Sequence, residues 1–244
     1  MKILAYILTI FYYPAFFITL LIFHPIQWLM LKLGGYSAHK KSVDYMNLML
    51  MGCLLLLGSR VVFRNRHRLP SDVSLIFVSN HQSMYDISPF GWFMRKHHPK
   101  FVSKIELSKG IPSISFNLRH GGSALIDRKD GKQAIGEIMK LARYIEKNNY
   151  SAVIYPEGTR SRNGHPKRFS ENGLKVLTKF APSAYVVPVT INNSWKFQQY
   201  GKFPCGIGIK MTLDTHEPIA VKTVTFEELF QKVEETVKGG VIIN

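Results

Sequence analysis

Val73-Ser74-Leu75-Ile76-Phe77-Val78-Ser79 is a short β-rich apolar run, and it stops abruptly at Asn80-His81-Gln82-Ser83-Met84-Tyr85-Asp86, where nearly every side chain is polar or reactive. The first half reads as a buried strand and the second as the turn that follows it. The same sequence of events recurs downstream. Residues 123–126 lead into Asp127-Arg128, residues 152–155 lead into Pro156-Glu157-Gly158-Thr159-Arg160, and residues 185–191 form a fourth apolar run. Between these runs Ile135, Ile138, Leu141, Ala142 and Ile145 recur at helical spacing, as do Phe226, Leu229, Phe230, Val233 and Val237 near the end. Thr225 with Glu228 three positions on makes a capping box for that last helix. Short strands alternating with amphipathic helices specify an α/β fold, with a mixed, largely parallel sheet flanked by helices. Ligands gather at the carboxyl ends of strands in such sheets, so the three polar clusters are expected to build one pocket.

Residues 1–65 are of another character and form the first of two expected units, the second being an α/β domain over residues 66–244. Charges almost vanish across residues 3–31 and again across residues 45–59. The first apolar stretch contains Pro14 and Pro25 and reads as a broken or kinked helix. Its bulky Phe, Leu and Trp residues continue past thirty positions with no small-residue cleavage site, which argues against a cleaved signal. The second stretch has an uninterrupted apolar core around residues 49–57, short for a bilayer that needs about twenty residues. Lys40 and Lys41 precede it, and Arg60, Arg64, Arg66 and Arg68 follow it, so both flanks favour the cytoplasmic face. A membrane-associated helical hairpin satisfies this pattern, whether it dips into one leaflet or spans twice. A pair of buried core helices is the lesser alternative.

The 244 residues carry 32 Lys and Arg against 16 Asp and Glu, a formal charge of +16. Some extended anionic partner is expected, whether nucleic acid, a lipid surface or a charged metabolite. The two cysteines, Cys53 and Cys205, make neither a disulfide framework nor a zinc site, and no metal is expected.

A spacing of five rotates two helical side chains apart by about 140 degrees, so His81 and Asp86 meet only if the segment begins as a turn. Placed that way, the carboxylate receives one ring N–H and leaves the other nitrogen as an acceptor facing the pocket. The imidazole is then suited to take a proton from a substrate hydroxyl. Gly158 lets backbone approach a ligand, Thr159, Arg160 and Ser161 supply donors, and Arg128 adds a second guanidinium suited to phosphate. Each motif taken alone reads better as a structural pair or a solvated turn. The chain has no Gly-x-Ser-x-Gly elbow and no Walker-type loop.

Taken together and in order, Asn80-His81 to Asp86, Gly122 to Asp127-Arg128, Pro156-Glu157-Gly158-Thr159-Arg160-Ser161 and the proline-containing strand Val186-Val187-Pro188-Val189 resemble the lysophosphatidate acyltransferase branch of the glycerolipid acyltransferase family. The resemblance covers about residues 70–195 of the sequence. It implies that His81 is the general base and Asp86 its partner. It further implies that Arg128, Glu157, Gly158, Thr159 and Arg160 bind the glycerol-3-phosphate part, with Lys104 in Phe101-Val102-Ser103-Lys104 as a secondary phosphate ligand. Ala124 in place of a bulkier apolar residue, and the absence of a basic pair in Phe169-Ser170-Glu171-Asn172-Gly173, depart from the family pattern.

The expected reaction is transfer of an acyl chain from acyl-CoA or acyl carrier protein, as co-substrate, to the sn-2 hydroxyl of 1-acyl-glycerol-3-phosphate, with no further cofactor. The expected partners are the lysophospholipid, the acyl donor and an anionic membrane surface, without nucleic acid. Another lysolipid acceptor, such as one with an amino-acid head, fits the same motifs. A non-catalytic basic protein binding membrane or nucleic acid fits the charge alone.

Overall fold

The computed structural model describes residues 2–65 and 67–243; Arg66, counted above among the flanking basic residues, lies outside them. Eight strands form one sheet: β1 (Arg60–Asn65), β2 (Leu75–Ser79), β3 (Pro99–Lys104), β4 (Ala124–Ile126), β5 (Ser151–Ile154), β6 (Tyr185–Asn192), β7 (Lys210–Thr215) and β8 (Ile219–Ala220). Their order is β1-β7-β6-β2-β5-β3-β4, with β8 beside β6. The pairings of β7 and β8 with β6 are antiparallel and the others are parallel. The sheet is therefore mixed and largely parallel. The apolar runs around residues 73–79, 152–155 and 185–191 become the central trio β6-β2-β5, covered on both faces, which is why they lack alternation.

Alternate residues of those strands feed two cores. Ile76, Val78, Ala152, Ile154 and Val186 pack on α4 (Gly131–Asn148), α5 (Glu171–Phe180) and α6 (Phe226–Gly239). Leu75, Phe77, Val153, Val187 and Val189 face the other way, onto the N-terminal helices. The Thr225 and Glu228 side chains form the capping box that starts α6.

The N-terminal helix α1 (Lys2–Cys53) is continuous through both prolines and broken at Gly35, whose φ of 62° and ψ of −156° are open to glycine alone. This corrects the placement of the kinks. Pro14 and Pro25 lie on the exposed side of the helix, where each removes one backbone donor without displacing a packed neighbour. Beyond Gly35 the chain doubles back: Thr19 meets Cys53 at 3.7 Å and Gln27 meets Met46 at 3.1 Å, the pairing of an antiparallel hairpin. Ala5, Thr9, Tyr12, Thr19 and Leu20 are buried along its first arm, so that arm lies flat on the domain rather than projecting from it. Residues 60–65, grouped with the N-terminal unit in the sequence, form β1 and belong to the sheet. Two short helices, α2 (Ile87–Phe93) and α3 (Ile114–His120), close the space between hairpin and sheet.

Candidate active site

Strand β2 ends at Ser79, and the turn after it is clamped from several sides. Asn80 is fully buried, donating from Nδ2 to the Ile191 carbonyl at 2.8 Å and accepting the Ile191 N–H on Oδ1 at 2.7 Å. Gln82 Oε1 accepts the Ser194 N–H at 2.9 Å. Asn80→Ala leaves two buried backbone groups unpaired and is expected to destabilise the protein by about 2–4 kcal/mol. A lowered urea midpoint with an unchanged slope for the detergent-solubilised protein checks this.

His81 therefore leaves the sheet at a fixed angle. Its Nδ1 lies 2.7 Å from Asp86 Oδ2, the same oxygen that accepts the N–H groups of Gln82 at 2.8 Å and Ser83 at 3.0 Å. Asp86 is fully buried and closes a single 3-10 turn (Met84–Asp86) capped by Ser83, immediately ahead of α2. A carboxylate in this position fixes the tautomer: Nδ1–H donates to it, and Nε2 keeps its lone pair toward the cavity that His81 lines. Tyr155, at the end of β5, stacks on the imidazole with ring centroids 4.2 Å apart and planes inclined by 21°. Burial pushes the Tyr155 phenol well above its ordinary pKa, with Asp86 adding to the rise, so a neutral aromatic face lies against His81. Such a face favours the imidazolium that forms on proton uptake. Tyr155 was visible in the sequence only as the last residue of an apolar run.

Glu157 has a different position from the phosphate-binding role implied by the resemblance. Its Oε1 accepts the His81 N–H at 2.8 Å and its Oε2 accepts the Lys167 N–H at 2.9 Å. Both oxygens are engaged with backbone, and the negative charge is of the wrong sign for a phosphate. Burial raises its pKa, opposed by those two N–H groups. Glu157 ties the His81 turn to the loop that follows β5, and Ser161 adds a second tie by donating its N–H to the His81 carbonyl at 2.8 Å.

Arg128, Gly158, Thr159, Arg160 and Lys104 share with His81 one cavity of about 1290 Å³. The Arg128 guanidinium is held below its ordinary pKa by burial, with Glu106 opposing and the nearby positive charge of Arg160 deepening the effect. Two guanidinium groups close enough to repel make a site that a phosphate dianion would relieve. Gly158 has φ 66°, which suits a glycine, and Thr159 Oγ1 accepts from Lys167 Nζ at 2.7 Å. Gln133 of α4 fixes the Arg128 loop by accepting the Asp127 N–H at 2.8 Å and donating to the Leu125 carbonyl at 2.9 Å. Among the described residues no cluster of His, Cys, Asp and Glu has the makeup of a metal site.

An apolar part of the cavity wall comes from Val43, Met46 and Leu50 of the hairpin's second arm and Leu54 just beyond it, with Ile111 and Ile114 packed beside them. Sequence reasoning missed this wall because the segment was read as a membrane hairpin or as core helices, and neither reading gave it a place in the pocket. Further along lies Lys100, 4% exposed, donating to Tyr36 Oη at 2.6 Å. Burial lowers its pKa from 10.5 to about 7, with Lys40 adding to the depression and Asp44 opposing it. Between those two values the unfolded chain holds a proton that the folded chain has released, so rising pH stabilises the fold across this window. The stability advantage of wild type over Lys100→Met is expected to grow from pH 7 toward pH 10 in parallel melts. Parallel profiles would contradict it.

Residues 60–192 match the family model described as Acyltransferase. Among curated proteins, the chain is 28% identical over 168 residues to the 1-acyl-sn-glycerol-3-phosphate acyltransferase of Helicobacter pylori, covering 66% of this chain and 67% of that one. It is 26% identical over 157 residues to the 1-acyl-sn-glycerol-3-phosphate acyltransferase alpha of Ovis aries, covering 64% of this chain and 53% of that one. The chain thus spans about two thirds of the bacterial relative and about half of the sheep one. Among solved structures, the 1-acyl-sn-glycerophosphate acyltransferase of Thermotoga maritima superposes with a TM-score of 0.81 at 26% identity, covering 98% of this chain and 96% of that one.

Proposed function

The chain belongs to the acyltransferase family, and from that premise we propose that it acylates the sn-2 hydroxyl of 1-acyl-glycerol-3-phosphate, using an acyl thioester of coenzyme A or of acyl carrier protein, to give phosphatidate. The observation that carries this reading is the shared cavity. An imidazole with a free Nε2, a pair of arginines and an apolar wall line one space, matching the hydroxyl, the phosphate and the chains of a lysophosphatidate and its donor.

In this mechanism Arg128 and Arg160 hold the phosphate, with Lys104 beside them, and the glycerol hydroxyl is directed at His81 Nε2. The imidazole takes the hydroxyl proton as the oxygen attacks the thioester carbonyl, and Asp86 stabilises the resulting imidazolium. Collapse of the tetrahedral intermediate breaks the carbon–sulfur bond. The departing thiolate, whose conjugate acid has a pKa of about 8.5, takes the proton back from His81. No acyl-enzyme is required, because the thiolate is a good enough leaving group for direct attack by the activated hydroxyl.

The exposed apolar side of α1 and the basic charge of the chain support residence at the cytoplasmic face of a membrane, where the acceptor lies. A transfer assay with the purified protein tests the reaction. Labelled acyl chains from acyl-CoA and from acyl carrier protein are offered to lysophosphatidate, to a neutral lysolipid and to a lyso-amino-acid lipid. Phosphatidate is the expected main product; preferred acylation of either other acceptor would overturn the assignment.

A further inference from the structure

Residues 199–203, in the connection between β6 and β7, form an exposed run that touches α1. Tyr200 is 48% exposed and Phe203 is 47% exposed. The run is not loose. Tyr13 of α1 donates its hydroxyl to the Lys202 carbonyl, and the Cys205 N–H donates to Thr9 Oγ1 at 2.9 Å. The Phe203 ring packs at 5.4 Å from Tyr6 and stacks at 6.5 Å on Tyr13. Two aromatic side chains are thus held out toward solvent by a backbone fixed to the helix.

The patch is continuous with a longer apolar face. Ile3, Ile7, Ile10, Phe11, Phe17 and Ile18 are exposed along the outer side of the first arm of α1, whose inner side is buried against the domain. A helix packed lengthwise on a domain offers its outer face to a surface rather than passing through it. Tyr200 and Phe203 extend that face sideways onto the catalytic domain.

Charge identifies the partner. No Asp or Glu occurs between Glu171 and Asp214, whereas Lys196, Lys202 and Lys210 flank the aromatic pair. Aromatic side chains in a lysine-bearing stretch of sequence that carries no acid match the head-group level of an anionic leaflet. Resting on the membrane residence of α1 proposed above, we infer that residues 199–203 are a second lipid-contacting element, which inserts Tyr200 and Phe203 beside α1 and places Lys202 among anionic head groups. A contact that extends sideways from α1 fixes the roll of the molecule about that helix. The position of the His81 cavity relative to the leaflet is fixed with it.

The test uses the full chain on vesicles of phosphatidylcholine and phosphatidylglycerol, with an environment-sensitive fluorophore on Phe203→Cys, on Ile10→Cys as the helix control and on Lys140→Cys as the aqueous control. Cys53 and Cys205 are buried, and the labelled wild type gives the background. Brominated lipids are expected to quench the probes at 10 and 203 and to spare the one at 140. Quenching at 10 with the probe at 203 reached only by aqueous iodide would overturn the inference while leaving the helix contact standing. No quenching at either would overturn both. Shielding of the 203 probe without vesicles, in a sample that runs as a dimer, would overturn it by giving the patch to a second copy. The double variant Tyr200→Ser, Phe203→Ser is expected to bind vesicles roughly tenfold more weakly while keeping wild-type transfer in detergent. Failure of wild-type transfer in detergent would count against the proposed reaction and not against the lipid contact.

Discussion

Replacing His81 by alanine is expected to lower kcat by between ~10² and ~10⁴-fold while leaving vesicle binding and the unfolding midpoint close to wild type. The loss follows from the absence of another base at that place: the remaining polar groups nearest the turn are already committed. Asp86 holds Nδ1 and two backbone N–H groups, and Glu157 holds two more. Asp86→Asn should share much of the loss, because an amide in that position does not favour the imidazolium and also disturbs the turn that presents His81. The two substitutions act on one unit, so the double variant should lose far less than the product of the single effects. Transfer rates at saturating donor and acceptor check this. Fully additive losses would mean that His81 and Asp86 act separately.

Removing the arginines should have a different signature. Arg128→Ala and Arg160→Ala are each expected to weaken lysophosphatidate by about 10–100-fold, from about 1.5–3 kcal/mol for a hydrogen bond to a charged group. The effect should fall on KM for the phosphorylated acceptor. Lysine at either position should recover charge but not the two-pronged geometry, and so rescue only in part. The two positive charges repel in the free protein, with Arg160 pulling down the Arg128 pKa. The first removal therefore relieves some strain, and the second should cost more than the first. Equal loss toward lysophosphatidate and toward an acceptor lacking phosphate would mean that the arginines serve the fold and not the substrate.

The central strands were readable because burial on both faces leaves little but apolar residues in β2, β5 and β6. The edge strand β4 was also read, over residues 123–126, but β1, β3 and β7 were not. β1 carries Arg60 and Arg64, β3 opens on Pro99-Lys100, and β7 mixes Lys210 and Asp214 with threonines, so composition pointed away from strand where pairing decided otherwise. The helix break at Gly35 was obscured by two prolines that resemble better breakers. On the outer side of an unobstructed helix each proline costs one hydrogen bond, whereas the reversal itself requires a positive φ.

In the site, the spacing of His81 and Asp86 already required a turn, and the turn is there. The arginines were legible as donors next to strand ends. Three features were not legible, because each depends on long-range packing. Glu157 acts on the backbone of a residue 76 positions earlier. Tyr155 lies flat on His81 only because β5 runs beside β2. The apolar wall exists because the hairpin folds back over α2 and α3.

A structure of the protein with bound 1-acyl-glycerol-3-phosphate is the most direct test of the shared cavity. The phosphate is expected between the Arg128 and Arg160 guanidinium groups, with the free glycerol hydroxyl about 3 Å from His81 Nε2 and the acyl chain along Met46 and Leu50. A phosphate bound away from both arginines, or a hydroxyl out of reach of the imidazole, would contradict the account.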